Sequence, residues 1–238
     1  LAERLPHLMT PPIRALCFDL DDTFWEVRPV LVRAEARVAE FIAAQHPGLV
    51  PHLTPETIFQ LRTTLAADHP ARAHDMTWLR TEALRRIALR HGHDPAVGEA
   101  IFEVFIAARN EVELFDDVVP ALVALGARYP LATFSNGNAD LRRIGLHQHF
   151  VGMLNAESVG CAKPEAGAFL ASAAALGVAP QEMLYVGDNP HLDVVAARAA
   201  GCRAAWVNRT GMPWPAELSP APDLEVSHLL ELSARLAG

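Results

Sequence analysis

Leu16-Cys17-Phe18-Asp19-Leu20-Asp21-Asp22-Thr23 begins as an apolar run and ends in a burst of carboxylates. Ala15 to Phe18 predicts a short buried strand, too brief and too apolar for a surface helix. Asp19 and Asp21 follow, two residues apart. If the extended backbone continues through them, both side chains point to one side, with Cα atoms roughly 6.5 Å apart. Carboxylates at the C-terminal end of a parallel strand lie where open α/β sheets bind ligands. Two like charges ~4 Å apart repel by about 4 kcal/mol at an effective dielectric of 20. A cation is therefore expected, most simply Mg²⁺, a hard ion that prefers oxygen ligands. The alternative for this octapeptide is a carboxylate-rich turn, since Asp is a common turn residue.

The 238 residues suffice for a sizeable core in one large or two modest domains. With 51% hydrophobic and 20% charged residues, a folded chain is expected rather than a disordered one. No apolar run approaches the ~18 residues of a membrane helix, and Leu1 to Thr10 lacks the apolar core of a secretory signal. The expectation is a cytoplasmic protein, monomer or homodimer, with no membrane partner. A net charge of −8 disfavours nucleic acid, whose binding rests on basic surface. It allows a small phosphorylated substrate if local cations hold it. Cys17, Cys161 and Cys202 show no metal-binding spacing and are expected to be reduced. Lys163 is the only lysine among many arginines. Either a compact ammonium is needed there, or its retention is chance.

Along the chain, Leu1 to Pro12 reads as a loosely held lead-in. From about Trp25 to Leu114 only helical periodicity appears. Val30 to Gln45 is one helix, stopped at His46-Pro47-Gly48. Thr54-Pro55-Glu56 opens a second, with Thr54 as N-cap. Asp75 or Thr77 caps a third, to about His91, and Asp94-Pro95 starts a fourth, through about Asn110. Then come a helix over Asp116 to Arg128, a strand over Pro130 to Phe134, a short helix over Asp140 to Leu146 and a weak strand over Phe150 to Leu154. A helix over Pro164 to Leu176, a strand over Met183 to Val186, a helix over Pro190 to Ala200 and a strand over Ala204 to Val207 follow. Leu224 to Val226 and His228 to Leu236 close the chain as an edge strand and a helix. The alternation is βαβ text and predicts an α/β fold, a doubly wound parallel sheet with helices on both faces. The all-helical segment interrupts it after strand one. The expected domains are a core of residues 1–24 and 115–238 and a helical cap of residues 25–114, with crossings near Phe24–Glu26 and Glu113–Phe115.

More polar groups fall at predicted strand ends or helix starts: Ser135-Asn136-Gly137, Lys163 before Pro164, and Gly187-Asp188 with Asp193 five residues on. In a doubly wound sheet these ends converge on one edge. Phosphoryl chemistry needs such a set: a nucleophile, a proton donor, a metal, and donors for the phosphoryl oxygens. Singly, each has a plain alternative. The Ser135 segment can be only a turn, Lys163 a solvated helix start, Asp188 a turn and N-cap, and Asp193 a complement to the helix dipole.

The four motifs Asp19-Leu20-Asp21-Asp22-Thr23, Ser135-Asn136, Lys163-Pro164 and Gly187-Asp188 with Asp193, in this order, resemble those of the haloacid dehalogenase-like hydrolase superfamily. The branch is the one with a helical cap inserted after strand one. Ala196-Ala197-Arg198-Ala199-Ala200-Gly201 and Trp206-Val207-Asn208-Arg209 are also typical of that branch. The resemblance covers nearly the whole chain and implies a Rossmann-like core. It further implies that Asp19 is the nucleophile and forms an aspartyl-phosphate. Asp21 then protonates the leaving oxygen and activates water. Mg²⁺ is held by Asp19, the Asp21 carbonyl, Asp188 and waters. Ser135, Asn136 and Lys163 hold the phosphoryl oxygens, Asp193 orients Lys163 or the metal's waters, and Asn189 assists at the metal.

The superfamily contains true dehalogenases, and these lack an aspartate at the Asp21 position. A halide leaves without a proton, whereas an alkoxide leaving phosphorus benefits from a general acid. Asp21 therefore favours a phosphomonoesterase over a dehalogenase. A phosphomutase and a phospho-accepting signalling domain are further alternatives. Substrate choice is expected in the cap, where Trp25, Trp78 and Arg80 are candidates. Trp78 can stack on a flat ring and Arg80 can pair with an anionic group, or both can simply pack the cap. Arg28-Pro29-Val30 and the His74–Arg80 run resemble bacterial phosphatases of flavin mononucleotide and of the ribitylaminopyrimidine phosphate of riboflavin synthesis. A general sugar-phosphate or nucleotide phosphatase is the alternative.

Overall fold

A computed structural model describes residues 11–237 of the chain, so the predicted lead-in lies, but for its last two residues, outside the described residues. The core strands are β1 (Ala15–Phe18), β2 (Leu131–Ser135), β3 (Gly152–Asn155), β4 (Met183–Gly187), β5 (Arg203–Val207) and β6 (Leu224–Val226). They form one sheet in the order β3-β2-β1-β4-β5-β6, parallel throughout. Alternate residues serve opposite faces. Phe18, Val186 and Val207 pack on Leu122 of α5 (Val118–Gly126) and on Leu229 and Leu232 of α10 (Leu229–Ala237). Cys17, Phe134, Tyr185 and Trp206 pack on Phe169 and Ala173 of α8 (Ala166–Leu176) and on Ala197 of α9 (Ala196–Ala199). Both faces are covered, so the central strands read as continuous apolar runs. Short helices α6 (Leu141–Ile144) and α7 (Ala156–Val159) flank β3.

Every element between β1 and α5 is helical. These are α1 (Val27–Gln45), α2 (Pro55–Asp68), α3 (Met76–Arg90) and α4 (Pro95–Arg109), with short 3₁₀ turns between them. They have their own apolar cluster, with Ala34, Val38 and Ile42 of α1 against Leu84 and Ile87 of α3 and Ile101 and Phe105 of α4. Helix starts follow their caps: Thr54 accepts from the Thr57 N–H, Asp94 from Ala96, and, of the two candidates for α3, Asp75 from Trp78 at 2.8 Å. At Gly98 a Cβ would overlap the backbone of Leu84 and Arg85, so α3 and α4 touch there as only glycine permits. The two chain crossings meet where the Phe115 N–H donates to the Phe24 carbonyl at 2.9 Å. Among the described residues no helix is long and apolar enough to cross a membrane.

Several predicted elements differ in detail: the first helix begins at Val27 rather than Val30, the short helix spans Leu141–Ile144 and the weak strand Gly152–Asn155. The helix expected from Asp116 begins at Val118, and the one expected from Pro164 begins at Ala166. The helix expected over Pro190 to Ala200 opens as a wide π-helical segment, Pro190–Val195, before α9. There the Asn189 carbonyl accepts from Asp193 at 3.0 Å and from Val194 at 3.4 Å, and its side chain caps His191 and Leu192. Widened turns of this kind are frequent at functional sites.

Candidate active site

The strand order reverses direction at β1, so β1 and β4 flank the crevice where such sheets bind ligands. Asp19 follows β1, and Asp188 follows β4. Between them the Lys163 ammonium donates to Asp19 Oδ1 at 2.6 Å and to Asp193 Oδ1 at 2.7 Å, all three side chains being buried. The second Asp193 oxygen accepts from the Asn189 N–H at 2.9 Å. Asp193 can lie so close to the strand end because Gly187 has no Cβ, which would overlap the Asp193 carboxylate.

Charge is out of balance here. Burial alone would lower the Lys163 ammonium, but Asp19 and Asp193 outweigh it and hold the group well above its usual range. Burial lifts the Asp19 carboxyl against the pull of Lys163, with Asp193 and Asp188 pushing the same way. Burial, with Asp193 and Asp22 beside it, pushes the Asp188 carboxyl up to about 7. One ammonium thus faces three carboxylates. Oxygens of Asp19, Asp188 and Asp193 lie within 4.8 Å of one another. An all-carboxylate donor set with surplus negative charge fits a hard divalent cation.

Asp22 turns the chain just after Asp21, with φ of 59°, a left-handed conformation that Asp tolerates. Its carboxylate accepts from the Val27 N–H at 2.9 Å and so opens α1. The turn carries Trp25 back, where its indole N–H donates to Asp21 Oδ1 at 2.9 Å. Trp25 is fully buried, so it supports Asp21 and presents no face for stacking. A residue not anticipated from the sequence completes this cluster. Arg109, the last residue of α4, donates from Nη2 to both Asp21 oxygens, at 2.6 and 2.7 Å. Arginine at a helix C-terminus ordinarily complements the dipole, which hides it in the sequence. The available signal was that α4 carries no other cation.

Ser135 ends β2, and its hydroxyl accepts from the Gly137 N–H at 3.0 Å. Asn136 exchanges two hydrogen bonds with the Lys163 backbone, at 2.9 and 2.8 Å, tying the β2 loop to the lysine loop. Both polar atoms of its side chain are therefore engaged with the Lys163 backbone. A cavity of about 190 Å³ is lined by Asp19, Asp21, Ser135, Lys163, Asp188 and Asn189, among others. It adjoins a larger one of about 640 Å³ that shares Asp22 and Asp188 and reaches Arg28, Trp206 and Thr210. The two remaining candidates, both from the helical insertion, pack within it. Arg80 is buried, donates twice to Glu35 at 2.9 Å and lies 3.6 Å over the Phe105 ring. Trp78 packs against His69 and under Arg72. Burial pushes the Cys17 and Cys202 thiols up to about 12, so neither is a ready thiolate.

The family model for haloacid dehalogenase-like hydrolases matches residues 13–201. The chain is 30% identical over 230 residues to the 5-amino-6-(5-phospho-D-ribitylamino)uracil phosphatase of Escherichia coli, covering 93% of this chain and 95% of that protein. It is 36% identical over 159 residues to a phosphoserine phosphatase of Thermus thermophilus, covering 64% and 63% of the two chains. A crystal structure described as a 2-haloacid dehalogenase from Pseudomonas syringae superposes with a TM-score of 0.89 at 35% identity, over 94% of this chain and 98% of that one. A match that spans both the β1 carboxylates and the Lys163–Asp193 pair leaves one conclusion: the chain belongs to the haloacid dehalogenase-like hydrolases.

Proposed function

We propose that this hydrolase cleaves phosphomonoesters through a phosphoryl group carried transiently on Asp19. The observation that supports it best is the Asp19–Lys163–Asp193 ion-pair trio beside a second carboxylate, Asp21, at the switch point of the sheet. An Asp19 oxygen attacks phosphorus, and the ester P–O bond breaks. The leaving oxygen keeps that electron pair and takes a proton from the Asp21 carboxyl. Water then attacks phosphorus, returns a proton to Asp21, and the bond to Asp19 breaks to release phosphate. Lys163, the Ser135 hydroxyl and the N–H groups after Ser135 hold phosphoryl oxygens. Mg²⁺, held by Asp19, Asp188 and the Asp21 carbonyl, would neutralise charge on the phosphoryl oxygens. Asp193 keeps Lys163 in place, and Asn189 keeps Asp193. Residues 25–114 act as a cap over this site.

The substrate is a small phosphorylated metabolite such as flavin mononucleotide or a ribitylaminopyrimidine phosphate. The Escherichia coli relative, matched over nearly the full length of both chains, supports that choice. The cavity around Asp19 holds little more than a phosphoryl group, and the larger one beside it has the size of a small-molecule site. A general sugar-phosphate or nucleotide phosphatase is the alternative substrate reading. The Pseudomonas syringae structure favours a second reading, dehalogenation, but Asp21 has no task when a halide leaves. The test is phosphate release from a panel of phosphomonoesters and halide release from 2-chloropropionate, with and without EDTA. Phosphate release abolished by EDTA is expected. Halide release without phosphate release would reverse the assignment.

A further inference from the structure

Arg109 lies outside the motifs that define the family fold, yet it makes the shortest contacts to Asp21. Its side chain is 3% exposed. Nη2 spans both Asp21 oxygens, and Nη1 is buried without a partner. A guanidinium placed only to complement a helix end would stay in solvent, where no desolvation cost arises. Two further contacts fix its position. Asn110, the next residue, accepts from the Asp140 N–H at 2.7 Å and donates to the Ile106 carbonyl at 2.8 Å. The end of α4 is thereby pinned to the loop after β2. Gly137 of that loop leaves room for the cluster: a Cβ there would lie 3.1 Å from Asp21 Oδ2, 3.3 Å from Ser135 Oγ and 3.5 Å from Arg109 Nη2. Trp25 holds Asp21 Oδ1 from the core side. The Asp21 carboxyl is thus gripped from two directions, and one grip comes from the helical insertion.

We propose that Arg109 is a positioning residue for Asp21, aiming its carboxyl at the leaving oxygen only while α4 is seated on the loops after β1 and β2. The inference rests on the phosphomonoesterase reading and deepens it. Proton delivery to the leaving group then depends on the insertion: one Asp21 oxygen exchanges its Arg109 contact for the proton it passes to the leaving oxygen, the other keeps its bond to Nη2, and no substrate contact by Arg109 is required. A carboxyl displaced by a fraction of its hydrogen-bond length delivers its proton poorly. The defect therefore depends on how much the leaving group needs that proton.

The test compares kcat/KM for p-nitrophenyl phosphate, whose leaving group departs unaided, with that for phenyl phosphate, whose leaving group does not. Both esters have nearly the same shape. Asp19→Asn serves as control. Arg109→Gln should lower kcat/KM for phenyl phosphate about 10- to 100-fold and for p-nitrophenyl phosphate less than about threefold. A variant that merely folds poorly loses both in proportion. If Arg109→Gln fails to fold, Arg109→Lys, which keeps a cation with shorter reach, is compared in the same way. Equal losses on the two esters, or none on either, would overturn the inference and leave the phosphomonoesterase reading intact. Were the native protein inert to both esters, or Asp19→Asn fully active, the reading itself would fall and this inference with it.

Discussion

At the scale of single residues, the site is a problem of surplus negative charge. Asp19 is the proposed nucleophile. Asp19→Asn keeps the size and one acceptor for Lys163 but removes the nucleophile, so turnover should fall by about 10³-fold or more with the fold retained, as read by steady-state kinetics and circular dichroism. Retained activity would remove Asp19 from the mechanism. Asp188 supplies the pH dependence. Its carboxyl is raised to about 7 in the folded protein, against about 3.9 when unfolded. The folded state therefore binds this proton more tightly, and the stability it contributes is present below about pH 4 and lost as pH rises through 7. The metal-free protein should weaken between about pH 5 and about pH 8, and Mg²⁺ should raise its melting temperature more at about pH 8 than at about pH 5. An equal shift at both would mean the metal does not meet these carboxylates. Asp19, Asp21, Lys163, Asp188 and Asp193 were legible because each combines a charged side chain with a strand end or helix start. Arg109 was not, because its partner lies 88 positions away and only the folded chain brings them together.

At the scale of elements, two glycines set close approaches that side chains would destroy. Gly98→Ala should force α3 and α4 apart and cost about 1–3 kcal/mol, seen as a lower urea midpoint. Gly187→Ala should displace Asp193 from the end of β4, and with it the ammonium that Asp193 holds. Its expected signature is a drop in kcat/KM of about tenfold or more together with a lower melting temperature, because the buried Lys163–Asp193 pair is disturbed. A normal kcat/KM would mean that Asp193 can retreat without disturbing Lys163. Strand and helix identities followed from periodicity and capping: β1 and the final strand have the predicted bounds, and Thr54, Asp75 and Asp94 cap as expected. Less legible was the opening of the helix after Asn189. Pro190 marks a helix start, but the Asn189 side chain and carbonyl together widen the first turns.

At the scale of the whole molecule, the helical insertion meets the core through both apolar and polar contacts. Val30 of α1 packs into the cluster that holds Phe18 and Leu122, and polar ties include the Phe24–Phe115 backbone bond at the crossings, Arg109 on Asp21, Asn110 on the loop after β2 and Asn138 of that loop on Thr77. The interruption of βαβ text by helices was plain in the sequence. Which side of the insertion faces substrate was not, since Trp78 and Arg80 satisfy the same helical spacing whether they pack inward or reach out. Arg80 is bound to Glu35 within the insertion. The leaving group is expected instead to extend from Asp21 in the smaller cavity toward the 640 Å³ cavity, which shares Asp22 and Asp188 with it. Thr210→Trp, at the rim of that cavity, should raise KM for flavin mononucleotide at least about tenfold and leave p-nitrophenyl phosphate unchanged. The mechanism turns on a phosphoryl group carried by Asp19. Its most direct test is acid quench of Asp21→Asn protein turning over p-nitrophenyl phosphate, followed by mass spectrometry of the peptide that contains Asp19. The ester needs no acid to react, while the missing base slows hydrolysis of the intermediate. The added mass of one phosphoryl group on Asp19 is the predicted result. Release of nitrophenol with that peptide unmodified throughout would contradict the account.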